Sequence, residues 1–326
     1  MTRFLPDRFV TLMVASAILG LLLPGLGASD GPLRLGLVTK FGIAFVFFLH
    51  GANLAPENLV AGVKNWKVHA LIQATTFVMF PILGLAVYFG LAPVLPESSR
   101  LGFFFLAALP STISSSVAMT VLGKGNVPAA VFNATLSGLL GLVLTPIMIS
   151  VVTATGSVQF SLLDAIINIA LTLLAPFVVG QVARPAIKSI LTKNKPIISW
   201  IDRSVILLIV FTSFATSTAG GIWSRFTGLE ITATLSLVLI LLGLALGFTV
   251  FTSRRLNLSR EDEVAAVFCG STKSLANGAP IAQILFAGSP VLGVILLPLM
   301  LYHQLQLVAC ALMAQRYAQR ADLSTS

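Results

Sequence analysis

The chain has 326 residues, of which 56% are hydrophobic and 10% are charged, and its formal net charge is +9 at pH 7. Soluble globular domains carry about 25% charged residues, so this composition excludes a soluble enzyme, a disordered chain and a secreted disulfide scaffold. The positive residues recur in short segments between apolar runs instead of forming one patch. This pattern argues against nucleic-acid binding and is typical of a multi-pass membrane protein.

Ten apolar segments are long enough to cross a bilayer, since a spanning helix needs about 20 residues. In chain order they are 9–24, 35–53, 68–91, 101–122, 127–152, 162–183, 200–219, 229–252, 263–286 and 290–314. The first could also be a signal peptide, because Arg3 and Arg8 precede it. Only the stretch from Arg184 to Trp200 is expected to be a substantial loop. The sequence therefore predicts an all-α multi-pass membrane protein with ten transmembrane helices.

The positive residues also predict the orientation of the helices. With the N-terminus in the cytoplasm, fifteen of the 20 lysines and arginines lie on the cytoplasmic side: Arg3, Arg8, Lys64, Lys67, Lys124, Arg184, Lys188, Lys193, Lys195, Arg203, Arg254, Arg255, Arg260, Arg316 and Arg320. Four lie on the outer side: Arg34, Lys40, Arg100 and Arg225. By the positive-inside rule we expect both termini in the cytoplasm. The expected location is the inner (plasma) membrane.

A short motif occurs once in each half of the chain. Segment 101–122 contains Pro110-Ser111-Thr112-Ile113-Ser114, and segment 263–286 contains Gly270-Ser271-Thr272-Lys273-Ser274, 160 residues later. Each copy lies beside a helix breaker. Because five helices are an odd number, two five-helix halves enter the membrane from opposite sides. The pattern predicts two inverted repeats, 1–152 and 153–326, in which helices four and nine are interrupted.

The two interruptions are the predicted substrate or ion site. Backbone groups freed at a break are tolerated at membrane depth only where protein or a water-filled cavity satisfies them, and Ser and Thr hydroxyls suit that task. Close helix packing by small residues is the alternative interpretation of either motif alone. The predicted binding residues are Ser111, Thr112, Ser114, Ser115, Ser116, Asn133, Ser271, Thr272, Lys273, Ser274 and Asn277.

Lys273 is the only charged residue well inside a predicted span. Such a residue is costly in a membrane and marks a functional site by default. Three roles are open for it: a proton carrier, a fixed charge that holds an anionic solute or replaces a bound cation, and a lysine that reaches one membrane face. The histidines at 50, 69 and 303 lie in three different segments, so no metal site is expected, and the polar patch at His303, Gln304 and Gln306 favours hydrogen bonding between helices.

Three stretches resemble the bile acid:sodium symporter family, in the symporter-like branch that includes the seventh human sodium/bile acid cotransporter: Leu109–Ser116, Gly125–Ala134 and Phe268–Leu275. The resemblance covers nearly the whole chain. It implies ten helices in two inverted repeats, with helices four and nine broken and crossing near the midplane. It also implies a panel domain of helices one, two, six and seven that moves against a core domain of the other six.

The chain departs from the sodium-coupled members where those proteins hold sodium. By the resemblance, a sodium-coordinating Glu is replaced by Phe268, a Gln in the same motif by Thr272, and a Gln of helix three by Thr76. The resemblance therefore does not imply the usual pair of sodium sites. Lys273 at the expected crossing suggests transport that is sodium-independent or proton-linked.

The expected function is secondary active transport of an organic, anionic solute by alternating access, sodium- or proton-linked, with Lys273 at the central site. A membrane regulatory or ion-homeostasis protein on the same fold is the alternative. An enzyme is not expected, because paired buried aspartates are absent and no histidine is near Ser111 or Ser271 in sequence. The expected partners are a small organic solute and the lipid bilayer, without nucleic acid. No cofactor is expected apart from Na⁺ or H⁺ as a coupling ion, and no oligomeric state is indicated.

Overall fold

The structure is a computed structural model that describes residues 8–54, 65–153, 162–221, 223 and 227–325. Secondary structure within these ranges is helical, without strands. Three of the positive residues used to predict the orientation, Arg3, Lys64 and Arg225, lie outside the described residues. The helical composition confirms the predicted all-α class.

Fifteen α-helices are formed by the described residues. They are α1 (Arg8–Leu22), α2 (Pro24–Gly27), α3 (Leu35–Asn53), α4 (Trp66–Ala74), α5 (Phe80–Gly90), α6 (Glu97–Ala108), α7 (Ser114–Leu122), α8 (Val127–Thr153), α9 (Leu162–Ile169), α10 (Ala175–Lys193), α11 (Lys195–Ala219), α12 (Gly228–Arg255), α13 (Arg260–Ser271), α14 (Leu275–Leu285) and α15 (Leu292–Thr325). Two single π-helical turns, Thr75–Met79 and Ala170–Leu174, join α4 to α5 and α9 to α10.

Seven of the described helical stretches are long and apolar enough to cross a membrane. They are Leu35–Asn53, Trp66–Gly90, Val127–Thr153, Ile167–Lys193, Lys195–Ala219, Glu230–Arg255 and Leu292–Arg320. The predicted segments 101–122 and 263–286 are each divided into two shorter helices, and the first predicted segment contains the shorter apolar helix Thr11–Leu22. The multi-pass membrane class is thus supported, while ten spans in two inverted repeats stay a prediction.

The prediction of a substantial loop from Arg184 to Trp200 is wrong. Helix α10 continues to Lys193, and α11 begins at Lys195 after the single residue Asn194. Pro196 lies in the first turn of α11, where a missing N–H group costs nothing because that group has no partner within the helix. The apolar pattern stopped at the charged residues between the two predicted segments, whereas the helices continue through them.

The helices form two compact units that are interleaved along the chain. The first unit contains Met1–Leu54, Phe160–Thr227 and Ala279–Leu296, and the second contains Ala55–Gln159, Gly228–Gly278 and Leu297–Ser326. Apart from the stretch that begins at Ala279, this division follows the panel and core domains that the family resemblance implies.

Within the first unit, α3 and α10 pack closely through glycines. A Cβ atom added at Gly51 would collide with the carbonyl group of Phe177, and one added at Gly180 would collide with that of Phe48. Small residues allow the backbones of membrane helices to approach in this way. The interface between α3 and α10 therefore depends on both glycines.

Within the second unit, α13 is the central buried helix. Every residue from Asp262 to Ser271 is buried. Its alanines and Cys269 pack in one hydrophobic cluster with residues of α4 and α8, and Phe268 packs in another with Cys310 and Tyr317 of α15. The end of α13 is thereby held inside the second unit, and the second break follows directly.

Candidate functional site

The two breaks meet through their backbones. Helix α6 ends at Ala108 before Pro110, and α13 ends at Ser271 before the extended residue Thr272 (φ −90°, ψ 149°). The N–H group of Ser274 donates a hydrogen bond of 2.9 Å to the carbonyl oxygen of Pro110. The structure therefore brings together the two motifs that the sequence places 160 residues apart.

Hydroxyl groups from both motifs form one buried cluster. The Ser116 Oγ atom lies 2.7 Å from Thr272 Oγ1 and 3.1 Å from Thr112 Oγ1, and Ser111 Oγ lies 3.1 Å from Thr272 Oγ1. Ser115 joins at the edge, 2.6 Å from Thr112. Each hydroxyl in this group has a partner, so the cluster fastens the two breaks together.

The ammonium group of Lys273 lies in a pocket of carbonyl oxygens. Lys273 is 0% exposed, and its Nζ atom donates to the carbonyl oxygens of Leu109 at 2.7 Å, Ala107 at 2.8 Å and Thr76 at 3.1 Å. The face of the Phe80 ring lies 4.0 Å from Nζ. Backbone oxygens and an aromatic face are the surroundings expected for a bound cation.

Those three carbonyls are available because two helices are interrupted. The N–H group of Phe80 bonds to Thr75 across the π-helical turn, and Pro81 has no N–H group, so Thr76 keeps a carbonyl without these helical donors. The carbonyls of Ala107 and Leu109 lie at the C-terminal end of α6, where helical donors run out. A cation is favoured at that end by the helix dipole.

The Lys273 backbone is held by a side chain of α15. The Gln306 Oε1 atom accepts a 2.7 Å hydrogen bond from the Lys273 N–H group, and Gln306 Nε2 donates at 3.0 Å to the Lys273 carbonyl. The Tyr302 hydroxyl donates at 2.6 Å to the carbonyl of Ser271. The sequence placed helix-to-helix hydrogen bonding at this polar patch but gave no signal for Tyr302, which lies in an apolar run.

This geometry distinguishes between the three roles open for Lys273. An ammonium group has three N–H donors, and it meets three carbonyl acceptors here. A neutral amine would have only two donors and would direct its lone pair at a carbonyl oxygen. The arrangement favours a fixed positive charge over a proton carrier, and complete burial excludes a side chain that reaches a membrane face. The ammonium group has no N–H left for a solute.

The remaining predicted residues divide into three groups. Ser271, Ser274 and Asn277 are buried. The backbone N–H group of Asn277 donates to Ser274 Oγ, and the Ser271 hydroxyl donates to the carbonyl oxygen of Val267 in its own helix. Ser114 is exposed and outside the hydroxyl cluster. Asn133 belongs to a different group of side chains.

Asn133 lies in a polar group between α4 and α8. Its Nδ2 atom lies 2.8 Å from His69 Nδ1 and donates to Ala129 at 2.9 Å, and its Oδ1 accepts from Gln73 at 3.2 Å. These partners come from neither break. Sequence periodicity could not separate this group from the breaks, since both lie on buried helix faces.

The first unit contains a separate cavity of about 510 Å³. Arg34, Lys40 and Asp30 line it, together with the side chain of Gln283, which is 7% exposed. The Gln283 Oε1 atom has no hydrogen-bond partner among the described residues. Unpaired buried amides are uncommon in folded proteins and call for an explanation. The sequence had assigned Arg34 and Lys40 only to the outer membrane face and gave no signal for the cavity.

Comparison with known proteins places this architecture in a family. The family model of the SBF-like CPA transporter family matches residues 7–319. The chain is 45% identical over 320 residues to "Uncharacterized protein PA2026" of Pseudomonas aeruginosa, covering 98% of this chain and 95% of that one. It is 39% identical over 285 residues to "Putative symporter YfeH" of Escherichia coli (87% and 85%). It is 31% identical over 312 residues to "Sodium/bile acid cotransporter 7" of Xenopus tropicalis (92% and 87%). The resemblance drawn from the three sequence stretches is confirmed.

Proposed function

Because the chain belongs to the SBF-like CPA transporter family, we propose that it is a secondary transporter that moves an organic anion through the membrane by alternating access. The reaction is vectorial: a solute changes sides and no covalent bond is made or broken. The proposed location is a bacterial inner membrane with both termini in the cytoplasm, as the distribution of lysines and arginines predicts.

The charge of the cavity in the first unit supports an anionic solute. Two cationic side chains, Arg34 and Lys40, line it against one carboxylate, Asp30. A volume of about 510 Å³ is within the range of small-molecule sites. The unpaired Gln283 Oε1 atom offers an acceptor for a hydroxyl or N–H group of the solute.

The carbonyl pocket of Lys273 supports a mechanism in which no sodium ion binds at the breaks. Its ammonium group occupies a position lined by backbone oxygens, as a bound cation would. By the family resemblance, Thr76, which supplies one of these oxygens, stands where sodium-coupled members carry a sodium ligand. We infer that Lys273 is a permanent substitute for the coupling cation, so that transport does not require sodium at this position. This observation carries the proposal for the mechanism.

A binding screen on purified protein tests the proposed solute class. Organic anions, organic cations and neutral compounds of similar size are added, and the melting temperature is measured, because a ligand that binds the folded state raises it. We expect stabilisation by organic anions alone. Arg34→Gln/Lys40→Gln should largely abolish this rise in melting temperature, whereas the equal charge change Lys188→Gln/Lys193→Gln on α10 should leave it unchanged. Stabilisation by cations, or equal weakening in both double variants, would contradict an anion site in this cavity.

The compounds that bind are then tested for uptake in liposomes. Accumulation inside liposomes that contain the protein, and not inside empty ones, supports a transporter. Binding without any movement of solute would instead favour a regulatory protein on the same fold.

A further inference from the structure

A groove in the second unit combines apolar walls with a cluster of arginines. It lies between the C-terminal halves of α12 and α15, as a depression of about 480 Å³ lined by Leu246, Gly247, Val250, Phe251, Arg254, Arg255 and Met313. A smaller depression shares three of these residues and adds Arg316, Tyr317 and Arg320. Neither depression belongs to the breaks or to the cavity of the first unit.

Polarity changes along the groove from apolar to cationic. Along the wall formed by α12, Arg254 follows Leu246 by eight positions, which is about 12 Å of helix. The apolar end lies on stretches suited to a bilayer, and the arginines lie where both stretches end. A phospholipid has the same order of groups, with its acyl chain matching the apolar end of the groove and its phosphate matching the arginine end.

The charges favour an anion at the arginine end. Arg254, Arg255, Arg316 and Arg320 are exposed there. Arg254 pairs with the carboxylate of Glu263 at 3.4 Å, and that carboxylate also accepts from the Tyr317 hydroxyl at 2.6 Å. One carboxylate against four guanidinium groups leaves a net positive surface, and arginine forks match phosphate oxygens.

A second copy of the chain is the competing occupant of this face. Gly243 and Gly247 are spaced as in helix pairs that pack closely in membranes, and a Cβ atom at either would meet nothing within 4 Å. However, two copies joined symmetrically here would place each arginine cluster against its counterpart. Repulsion between the clusters favours the lipid.

We propose that this groove binds an anionic phospholipid, with its phosphate at the four arginines and an acyl chain along Leu246, Gly247 and Val250. Basic pockets between membrane helices at the cytoplasmic surface bind such headgroups in general. A lipid with two phosphates would engage more of the arginines than one with a single phosphate. Because the groove is separate from the cavity and the breaks, lipid binding there does not depend on whether the protein transports a solute.

Native mass spectrometry of the full chain in neutral detergent tests the proposal. The protein is titrated with cardiolipin, phosphatidylglycerol, phosphatidylcholine and inorganic phosphate. We expect tight binding of cardiolipin, weaker binding of phosphatidylglycerol, and neither phosphatidylcholine nor free phosphate bound at the same concentrations. Arg316→Gln/Arg320→Gln should weaken cardiolipin binding about 30-fold, since each basic residue near an anionic lipid changes affinity about five-fold.

Three further variants separate the lipid site from general charge, from headgroup binding and from a loss of folding. Lys188→Gln/Lys193→Gln removes the same charge from exposed positions at the end of α10 and should not change cardiolipin binding. Gly247→Leu fills the apolar end at a position with open space and should weaken binding while all arginines are kept. Arg316→Lys/Arg320→Lys controls for folding and should retain most of the binding.

Three results would overturn the proposal. Equal loss in the Lys188/Lys193 variant would mean that net charge alone attracts the lipid. Free phosphate that competes fully, with Gly247→Leu unchanged, would mean that the acyl chain has no site. A dimer that Gly247→Leu abolishes and lipid does not affect would assign this face to a second copy.

Discussion

Replacing Lys273 by Met tests whether the ammonium group holds the two breaks in place. Methionine keeps an unbranched apolar side chain and removes the three donors. The carbonyls of Leu109, Ala107 and Thr76 then lose hydrogen bonds of 2.7, 2.8 and 3.1 Å at a fully buried position. The variant should therefore be less stable than the wild type.

The size of the effect follows from the three carbonyls. A buried carbonyl left without a partner costs about 1–3 kcal/mol, so three cost about 3 kcal/mol at the low end. Unfolding entropy of about 2.1 cal/mol/K per residue, taken over 326 residues, converts this loss to a fall of about 4 °C in the melting temperature. The lost contact with the Phe80 ring adds to the effect.

Thermal unfolding in mild detergent measures this difference. Lys188→Met, at an exposed position of α10, is the matched control and should change the free energy of unfolding by less than about 0.5 kcal/mol. An equal or higher melting temperature for Lys273→Met would refute the reasoning. It would show that the buried charge costs more than its hydrogen bonds contribute, as in buried ion pairs that hydrophobic residues replace without loss.

Three other pairs of substitutions, each with its own comparison variant, have expected effects on thermal unfolding. Gln306→Leu removes both hydrogen bonds to the backbone of Lys273 and should lower the free energy of unfolding by about 2 kcal/mol. Gln306→Glu keeps one acceptor and should lower it less. The reverse order would contradict the proposed contact. Gly180→Ala should destabilise by about 1–3 kcal/mol because its Cβ meets a neighbouring backbone, whereas Gly90→Ala, with open space around it, should be neutral or stabilising. Ser116→Ala should cost about 1 kcal/mol and Ser114→Ala almost nothing, because only Ser116 belongs to the hydroxyl cluster; equal effects would contradict that difference.

Apolar periodicity was sufficient for the positions of most helices. Helix α3 covers Leu35–Asn53, the same residues as the predicted segment 35–53, and the division of two segments into α6/α7 and α13/α14 occurs at the two motifs. The same signal failed between Arg184 and Trp200, because Lys188, Lys193 and Lys195 interrupt the apolar run although the chain is helical on both sides of Asn194.

The site was predicted only in part, because the atoms that surround the Lys273 ammonium group are backbone carbonyl oxygens. Ser111, Ser116 and Thr272 could be found from their side chains. The oxygen of Thr76 could not, since its availability depends on the π-helical turn before Pro81 and not on the threonine side chain. Tertiary packing alone assigns Asn133 to a separate polar group.

Sodium dependence of uptake is the most direct test of the claim that Lys273 replaces the coupling cation. Proteoliposomes containing the wild type or Lys273→Ala are given an organic anion identified in the binding screen, and initial uptake is compared in Na⁺ and in choline at equal ionic strength. The wild type should transport equally in both, and Lys273→Ala should transport faster in Na⁺, because the vacated carbonyl oxygens suit a small cation. Wild-type uptake that saturates with Na⁺ at a fixed ratio of sodium to solute would contradict the account.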